Sequence, residues 1–279
     1  VQTMRRWKSN ATADMLAPDD GTDHPLDSEL HDPPADFAAK AHVKSLEEYK
    51  KLYKQSIDQP HAFWTEISTK FHWSKEWTTL EKHNYDLEQG PVKIEWFIGG
   101  QTNVCYNALD RHVEAGHGDK IAFYWEGNDV GEQSTVTYKG LLESVCRLGS
   151  ALRDMGVKKG DPVAIYLPMI PELPTAMLAC ARIGAVHSVV FGGFSAESLM
   201  DRVLDSKCKV IITADAVMRG QKKIDLLDIV DEAVNTMTSE DHHVVEHILV
   251  VQRHTKDPNS RRKSLRTSHK IEHKMYSEV

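Results

Sequence analysis

Several things are scarce or missing in this 279-residue chain, and each absence narrows what it does. No stretch approaches the roughly 18 consecutive apolar residues of a membrane-spanning helix, so no membrane partner is expected. Only four cysteines occur, Cys105, Cys146, Cys180 and Cys208, far apart and without CxxC spacing. They read as reduced core thiols in an intracellular protein rather than as disulfides. Positive charge is not in excess: 34 Lys and Arg face 41 Asp and Glu, a net charge of −7, which argues against general nucleic-acid binding. Three catalytic or nucleotide-binding patterns are also absent, namely the GxSxG nucleophile elbow, GxxxxGK[ST] and GxGxxG.

What is present begins unevenly. The chain opens at Val1 rather than Met, so the natural N-terminus is expected to lie upstream. VQTMRRWKSNATADM reads either as the end of a transit peptide or as a plain disordered leader, with the leader preferred. Asp14–Asp36 carries Pro18, Pro25, Pro33 and Pro34 among many acids and is expected to be extended. The expected division is a leader over 1–40, a helical cap over 41–115, an α/β region over 116–252 and a basic, disordered tail over 253–279. That tail holds eight Lys or Arg against three Asp or Glu and lacks apolar periodicity, so it is expected to stay out of any sheet.

Inside these limits the periodicity is informative. Ser45-Leu46-Glu47-Glu48 is a capping box opening a helix to about Asp58, and Pro60 starts a second. Trp64, Phe71, Trp73, Trp77 and Trp96 crowd one region and read as packing rather than as an aromatic ligand site. Asp110-Arg111-His112 suggests a triad, yet neighbours on a helix point apart, so local hydrogen bonding is the better reading. Residues 121–126 and 133–138 read as a hairpin. Thr137 then caps a helix whose apolar face is Leu141, Val145, Leu148 and Leu152. Gly156 is a helix stop and Val157-Lys158-Lys159-Gly160-Asp161-Pro162 a turn. His243 and His247 stand four apart, but a strand from His247 and the want of a third ligand argue against a metal.

The strands at 163–167, 187–191, 209–213 and 247–251 alternate with helices. The fold class is therefore α/β, a doubly wound, mostly parallel sheet with helices on both faces, after a small helical N-terminal cap. In such sheets the loops after strand C-termini line the ligand crevice. Phe191-Gly192-Gly193-Phe194 follows one strand. Arg219-Gly220-Gln221-Lys222-Lys223, read as a basic loop, follows the next. A glycine-lined surface beside a cationic one suits a flat ring carrying phosphates.

Three segments carry a resemblance: HSVVFGGFSAESLMDRVLDSKCKVIITADAVMRGQKK, WFIGGQTNVCYNALDRHVEAG, and GVKKGDPVAIYLPMIPELPTAMLACARIGAVHSVVFGGFS. Together with KIAFYWEG they are similar to the N-terminal portion of AMP-forming acetyl-coenzyme A synthetases, in the adenylate-forming ligase superfamily. The match covers roughly residues 45–250, and the chain is expected to be an incomplete N-terminal domain. The resemblance implies an acetate–CoA ligase that makes acetyl-adenylate from acetate and ATP with Mg²⁺, then passes the acetyl group to coenzyme A. It carries the family's coenzyme A contacts over to Phe191, Gly192 and Gly193, and to Arg219, Gly220, Gln221 and Lys222. Bacterial-type members commonly have a second arginine where this chain has Lys222, which keeps the charge but loses the fork. The family's phosphate loop, adenine and ribose contacts and catalytic lysine match no residue here, so no catalytic or metal residue is assigned. The alternative is a non-catalytic module that binds coenzyme A or a nucleotide. The expected partners are the small molecules acetate, ATP and coenzyme A. The expected compartment is the cytoplasm, with organellar import as the other option.

Overall fold

The structure, a computed structural model, describes residues 33–237, 245–254 and 272–276. Residues 1–32 of the leader expected over 1–40, His243 of the weighed histidine pair and residues 255–271 and 277–279 of the basic tail lie outside the described residues, while Ala35–Lys40 of that leader, expected to be disordered, form a helix. The chain divides into two compact units, Val1–Phe63 and Trp64–Val279. The division thus falls within the expected 41–115 cap, and residues 64–115 belong to the larger unit.

The smaller unit holds α1 (Ala35–Lys40) and α2 (Leu46–Asp58), and α3 (Pro60–Ser68) runs across the division. The Ser45 hydroxyl accepts from the Glu48 N–H at 3.1 Å, as the capping box predicts. Its return arm differs: the Glu48 carboxylate accepts from the Lys44 N–H at 2.8 Å, one residue earlier than in the standard box.

The larger unit opens with an antiparallel hairpin, β1 (Thr79–Asn84) and β2 (Lys93–Ile98). Its aromatic residues pack on one another. The Trp73, Trp77 and Phe97 rings lie 4.9 to 5.4 Å apart, and Trp64 meets Trp96 edge-on at 6.4 Å. A Cβ on Gly100 would stand 2.9 Å from the Trp73 ring, so the indole needs a glycine there. The next segment is helical with wide π-type turns at Tyr106–Asp110 and Val113–His117. Here Asp110, Arg111 and His112 diverge, as adjacent helical residues must. Asp110 pairs with Arg182 at 2.8 Å, Arg111 lies over the Phe71 ring at 5.6 Å, and His112 tilts against Tyr138 at 5.6 Å. Arg111 also donates locally, to the Asn107 carbonyl at 2.8 Å, so local bonding and packing hold for it and His112, while Asp110 is engaged by Arg182 from a distant helix.

A second hairpin, β3 (Ile121–Glu126) with β4 (Gln133–Thr137), leads into α4 (Tyr138–Asp154). Thr137 accepts from the Gly140 N–H at 3.1 Å and caps it. Leu141, Val145, Leu148 and Leu152 are all buried. Each contributes about 1.5–3 kcal/mol by leaving water. Gly156 follows with φ +85°, the left-handed stop the sequence calls for.

The main sheet is then laid down as β5 (Pro162–Tyr166), α5 (Glu172–Ile183), β6 (Val186–Val189), α6 (Ala196–Ser206) and β7 (Val210–Ala214). A short hairpin follows, β8 (Val217–Arg219) with β9 (Lys222–Ile224), then α7 (Leu226–Asn235), β10 (His247–Val251) and β11 (Glu272–Met275). The five long-range partners are ordered β11-β10-β7-β5-β6, every pair parallel. Residues Val163–Tyr166 and all of β7 are buried, which explains their unbroken apolar sequence. From β5 the chain steps to the β6 edge, then back past β5 to β7. Right-handed crossovers therefore put α5 on one face and α6 on the other. α4 packs on α5, and α6 packs on α7, completing a layer on each side. The doubly wound reading holds.

Two expectations need correction. The stretch read as a basic loop is a hairpin whose two-residue turn is Gly220-Gln221, with Gly220 at φ +59°. And Glu272–Met275, expected outside the sheet, is its edge strand, in parallel register with His247–Val250. The polar sequence Glu272-His273-Lys274-Met275 suits such a place, because an edge strand needs only one hydrogen-bonded side and tolerates charge on the other. Tyr276 just beyond is half-buried, and burial pushes its hydroxyl up to about 12.

Candidate functional site

The connections of β5 and β7 leave in opposite directions, to β6 and to β10. This is the switch point at which an open parallel sheet parts its loops. A crevice of about 390 Å³ lies there, lined by residues following β5 (Leu167–Met169), β6 (Val190–Gly193), β7 (Val217–Arg219) and β10 (Arg253, His254), with Trp125 and Glu126 from β3.

Four of the seven residues singled out from sequence line it: Phe191, Gly192, Gly193 and Arg219. The other three, Gly220, Gln221 and Lys222, form the exposed tip of the β8–β9 hairpin, outside the lining. Arg219 and Lys222 are register partners, so their side chains leave the same face of that hairpin.

Phe191-Gly192-Gly193-Phe194 is a turn closed by the Phe194 N–H on the Phe191 carbonyl at 3.0 Å. Ser195 ends it by capping α6 through the Ser198 N–H at 3.3 Å, and Glu197 sits in the first turn, where the macrodipole favours an acid. Two further contacts hold the turn. The buried Tyr166 hydroxyl donates to the Phe194 carbonyl at 2.9 Å, and the Arg202 guanidinium covers the Phe194 ring at 4.4 Å. Phe191 is left 61% exposed, its ring offered to the crevice. The Arg219 guanidinium stands 6.0 Å from that ring's centre.

The two glycines differ. A Cβ on Gly193 would lie 2.6 Å from the Phe191 ring and 3.4 Å from the Arg219 guanidinium, so Gly193 lets both side chains close over it. A Cβ on Gly192 would meet nothing nearer than the Leu167 carbonyl at 3.8 Å, an ordinary contact.

The far wall was not foreseen from sequence. The Trp125 indole donates to the Met169 carbonyl at 2.8 Å, and Arg253 lies over its ring at 5.4 Å while pairing with Glu132 at 3.0 Å. Behind them sits Asp215, 2% exposed. Its carboxylate accepts from the N–H groups of Ala216 at 2.7 Å, Arg253 at 3.0 Å and His254 at 2.9 Å. Its backbone N–H reaches the Val251 carbonyl at 2.9 Å, and its own carbonyl accepts from Leu227 at 3.2 Å. One side chain thus ties the ends of β7 and β10 to the rim. A polar residue closing the otherwise apolar run Val210–Ala214 was the available signal.

Flat aromatic surface, a glycine that admits close approach, and a guanidinium at one rim together fit a ligand with an aromatic ring and phosphate groups. Among the described residues no group of three or more His, Cys, Asp or Glu is gathered that could hold a metal ion. No described helix is long and apolar enough to cross a membrane.

Comparison with known proteins agrees with this architecture. The acetyl-coenzyme A synthetase N-terminus pattern matches residues 49–108, and the AMP-binding enzyme pattern matches residues 109–274. The latter reaches through β11, so the family likeness extends past Gln252, where the sequence reading had ended it. A chloroplastic/glyoxysomal acetyl-coenzyme A synthetase of Arabidopsis thaliana is 53% identical over 75% of this chain and 28% of its own length. The acetyl-coenzyme A synthetase of Drosophila melanogaster is 46% identical over 81% of this chain and 34% of its own. That of Deinococcus radiodurans is 47% identical over 83% and 34% respectively. The chain therefore spans about a third of the length of these relatives. Among solved structures, an acetoacetyl-CoA synthetase from Streptomyces lividans superposes with a TM-score of 0.70 at 22% identity, over 88% of this chain and 37% of that one. It shares the fold. Since one pattern runs unbroken from the helix before β3 to the edge strand β11, the chain belongs to the AMP-binding enzyme family.

Proposed function

We propose that this chain is the coenzyme A-binding part of an acetate–CoA ligase, which makes acetyl-coenzyme A from acetate, ATP and coenzyme A through an acetyl-adenylate. The reading rests on one observation above all: Phe191, Gly193 and Arg219 converge on a crevice at the sheet's switch point. In this reading Arg219 forks onto phosphate of the nucleotide half, Phe191 lies against the adenine, Gly193 lets those two side chains close over the turn, and Gly192 lines the crevice as backbone. Gly220, Gln221 and Lys222 at the hairpin tip add a second, weaker phosphate contact. ATP and Mg²⁺ are assigned to no residue of this chain, so no step is routed through them here. The names of the relatives, one of them chloroplastic/glyoxysomal, support an enzyme of the cytoplasm or an organelle interior.

Arg219→Ala tests the assignment. Coenzyme A binding to the chain, measured by calorimetry, is expected to weaken roughly ten- to a hundredfold, the worth of a charge-assisted hydrogen bond. Placed in a full-length relative, the same change is expected to raise the KM for coenzyme A and leave acetate-dependent pyrophosphate exchange near wild type. Lys222→Ala should act in the same direction but more weakly, and Lys222→Arg should restore a fork. Unchanged coenzyme A affinity in Arg219→Ala would overturn the assignment.

The alternative is a module that binds coenzyme A without catalysis. For the chain on its own we expect no acetate-dependent ATP–pyrophosphate exchange above a no-protein control. Measurable exchange would exclude the module reading.

A further inference from the structure

The same sheet has a second crevice at its other end. It is larger, about 780 Å³, and is lined by the C-terminal turn of α4, the turn Val157–Lys159 before β5, the end of α5 and the helical segment around Tyr106. β5 separates the two crevices, since one lies before Pro162 and the other after Tyr166. A strand of this length spans about 17 Å, so one small ligand does not reach both.

Four cations line it: Arg153, Lys158, Lys159 and Arg182. Only Arg182 is paired, both Asp110 carboxylate oxygens accepting from it at 2.8 and 3.0 Å. Among the described residues no carboxylate lies within ion-pair distance of Arg153, Lys158 or Lys159. The neighbouring acid, Asp161, is already engaged by Lys209 at 3.2 Å and by the Lys158 N–H at 3.0 Å. Helix ends account for part of the charge. α4 and α5 both point their C-termini here, and each carries about half a negative charge that basic residues offset. Four cations against Asp110, the Glu114 carboxylate held by the Tyr106 hydroxyl at 2.7 Å and two such helix ends still leave an excess of about one positive charge. Asn103, Tyr106 and Ser150 are polar, while Gly149, Val157 and Ile183 form an apolar floor.

We infer that this lower crevice is a binding site for a small dianion of the phosphate or pyrophosphate type, separate from the coenzyme A crevice. Lysine and arginine side chains that line one crevice can recognise phosphoryl oxygens. Arg153, Lys158 and Lys159 would contact the anion directly. Arg182, held in place by Asp110, would contribute the fourth charge from the wall.

The molecule carries its own reporter. Cys146 lines this crevice and is exposed, while Cys105, Cys180 and Cys208 are buried and their thiols pushed up by burial. Alkylation by iodoacetamide at neutral pH should therefore read Cys146 alone. The experiment measures that rate by intact mass against increasing pyrophosphate, inorganic phosphate and, at matched ionic strength, chloride, with calorimetric titration of pyrophosphate in parallel. Pyrophosphate is expected to slow the reaction saturably, phosphate to do so more weakly, and chloride to leave it unchanged. The double variant Lys158→Gln, Lys159→Gln changes only exposed side chains. It should need roughly tenfold or more pyrophosphate for the same protection, while its affinity for coenzyme A stays as it was. Protection that chloride reproduces, protection that the double variant retains in full, or no protection and no binding heat would each overturn the proposal. Loss of coenzyme A binding in Arg219→Ala does not bear on it, so the two assignments fail independently.

Discussion

The two ends of one parallel sheet are built on different principles. At the upper end, after β5, β6, β7 and β10, the crevice is narrow and mostly apolar, with one guanidinium beside an exposed phenylalanine. At the lower end, before β5, it is twice as large and carries four cations. The difference follows from what each end receives from the helices. The loops at the upper end feed helix N-termini, such as the Ser195-capped α6, whose free N–H groups already favour anions. Little added charge is needed, and shape can decide the ligand. The lower end receives the C-termini of α4 and α5, whose carbonyls repel anions, so an anion site there has to be made from side chains.

The largest effect that tests this contrast comes from Asp215→Ala. It leaves three N–H groups at the upper rim without their charged acceptor. Chemical denaturation is expected to show a loss of about 3 kcal/mol. Coenzyme A affinity should fall with it, while the Cys146 alkylation rate stays as in the parent chain. A rise in Cys146 reactivity at temperatures where the fold persists would mean the two ends are coupled through the sheet.

Gly193→Ala sharpens the upper end. The new methyl displaces the Phe191 ring, which is exposed and free to move, so stability should change by less than about 1 kcal/mol. Coenzyme A affinity should nevertheless drop about tenfold if Phe191 makes the proposed adenine contact, because the ring is displaced. Gly192→Ala, with room for its methyl, should leave affinity within about twofold. Equal losses in both variants would show that the turn matters only as backbone.

Thr137→Ala removes the cap of α4, far from the upper crevice, and should cost about 1 kcal/mol of stability without changing coenzyme A affinity. The last effect appears only at alkaline pH. Burial pushes the Cys180 thiol, on α5 between the two ends, up to about 12 from its ordinary value near 9. The folded state thus favours the protonated thiol, and the unfolded chain ionises first. This contribution to stability is full below about pH 9 and is lost as pH rises toward about 12. Cys180→Ala should flatten the alkaline limb of a stability-against-pH curve in that window, and an unchanged slope would assign the limb to other groups.

Much of this was legible in the residues. Thr137, Ser45 and Ser195 announce helix starts because a hydroxyl accepting from an N–H two or three residues on is a local event. Gly156 and Gly184 announce helix stops because only a residue without a Cβ takes positive φ freely. The candidate site was half legible: Phe191, Gly193 and Arg219 could be named, since they sit where strands end. Trp125, Asp215 and Arg253 could not, because each acts through a partner brought near by the fold: Met169, the ends of β7 and β10, and Glu132. The tail misled for the same reason. β11 has a basic neighbourhood and little periodicity, yet β10 offers it a free edge, and pairing to an edge asks mainly for backbone.

By itself, then, the sequence determined the elements, their order and the α/β class, because caps, stops and apolar periodicity act over a few residues. Tertiary structure alone decided which loops share a crevice, that Arg219 meets Phe191 while Lys222 stays at the hairpin tip, and that Arg153, Lys158, Lys159 and Arg182 gather at the opposite end. Those juxtapositions depend on crossover direction and strand order, which bring together groups that no local pattern relates.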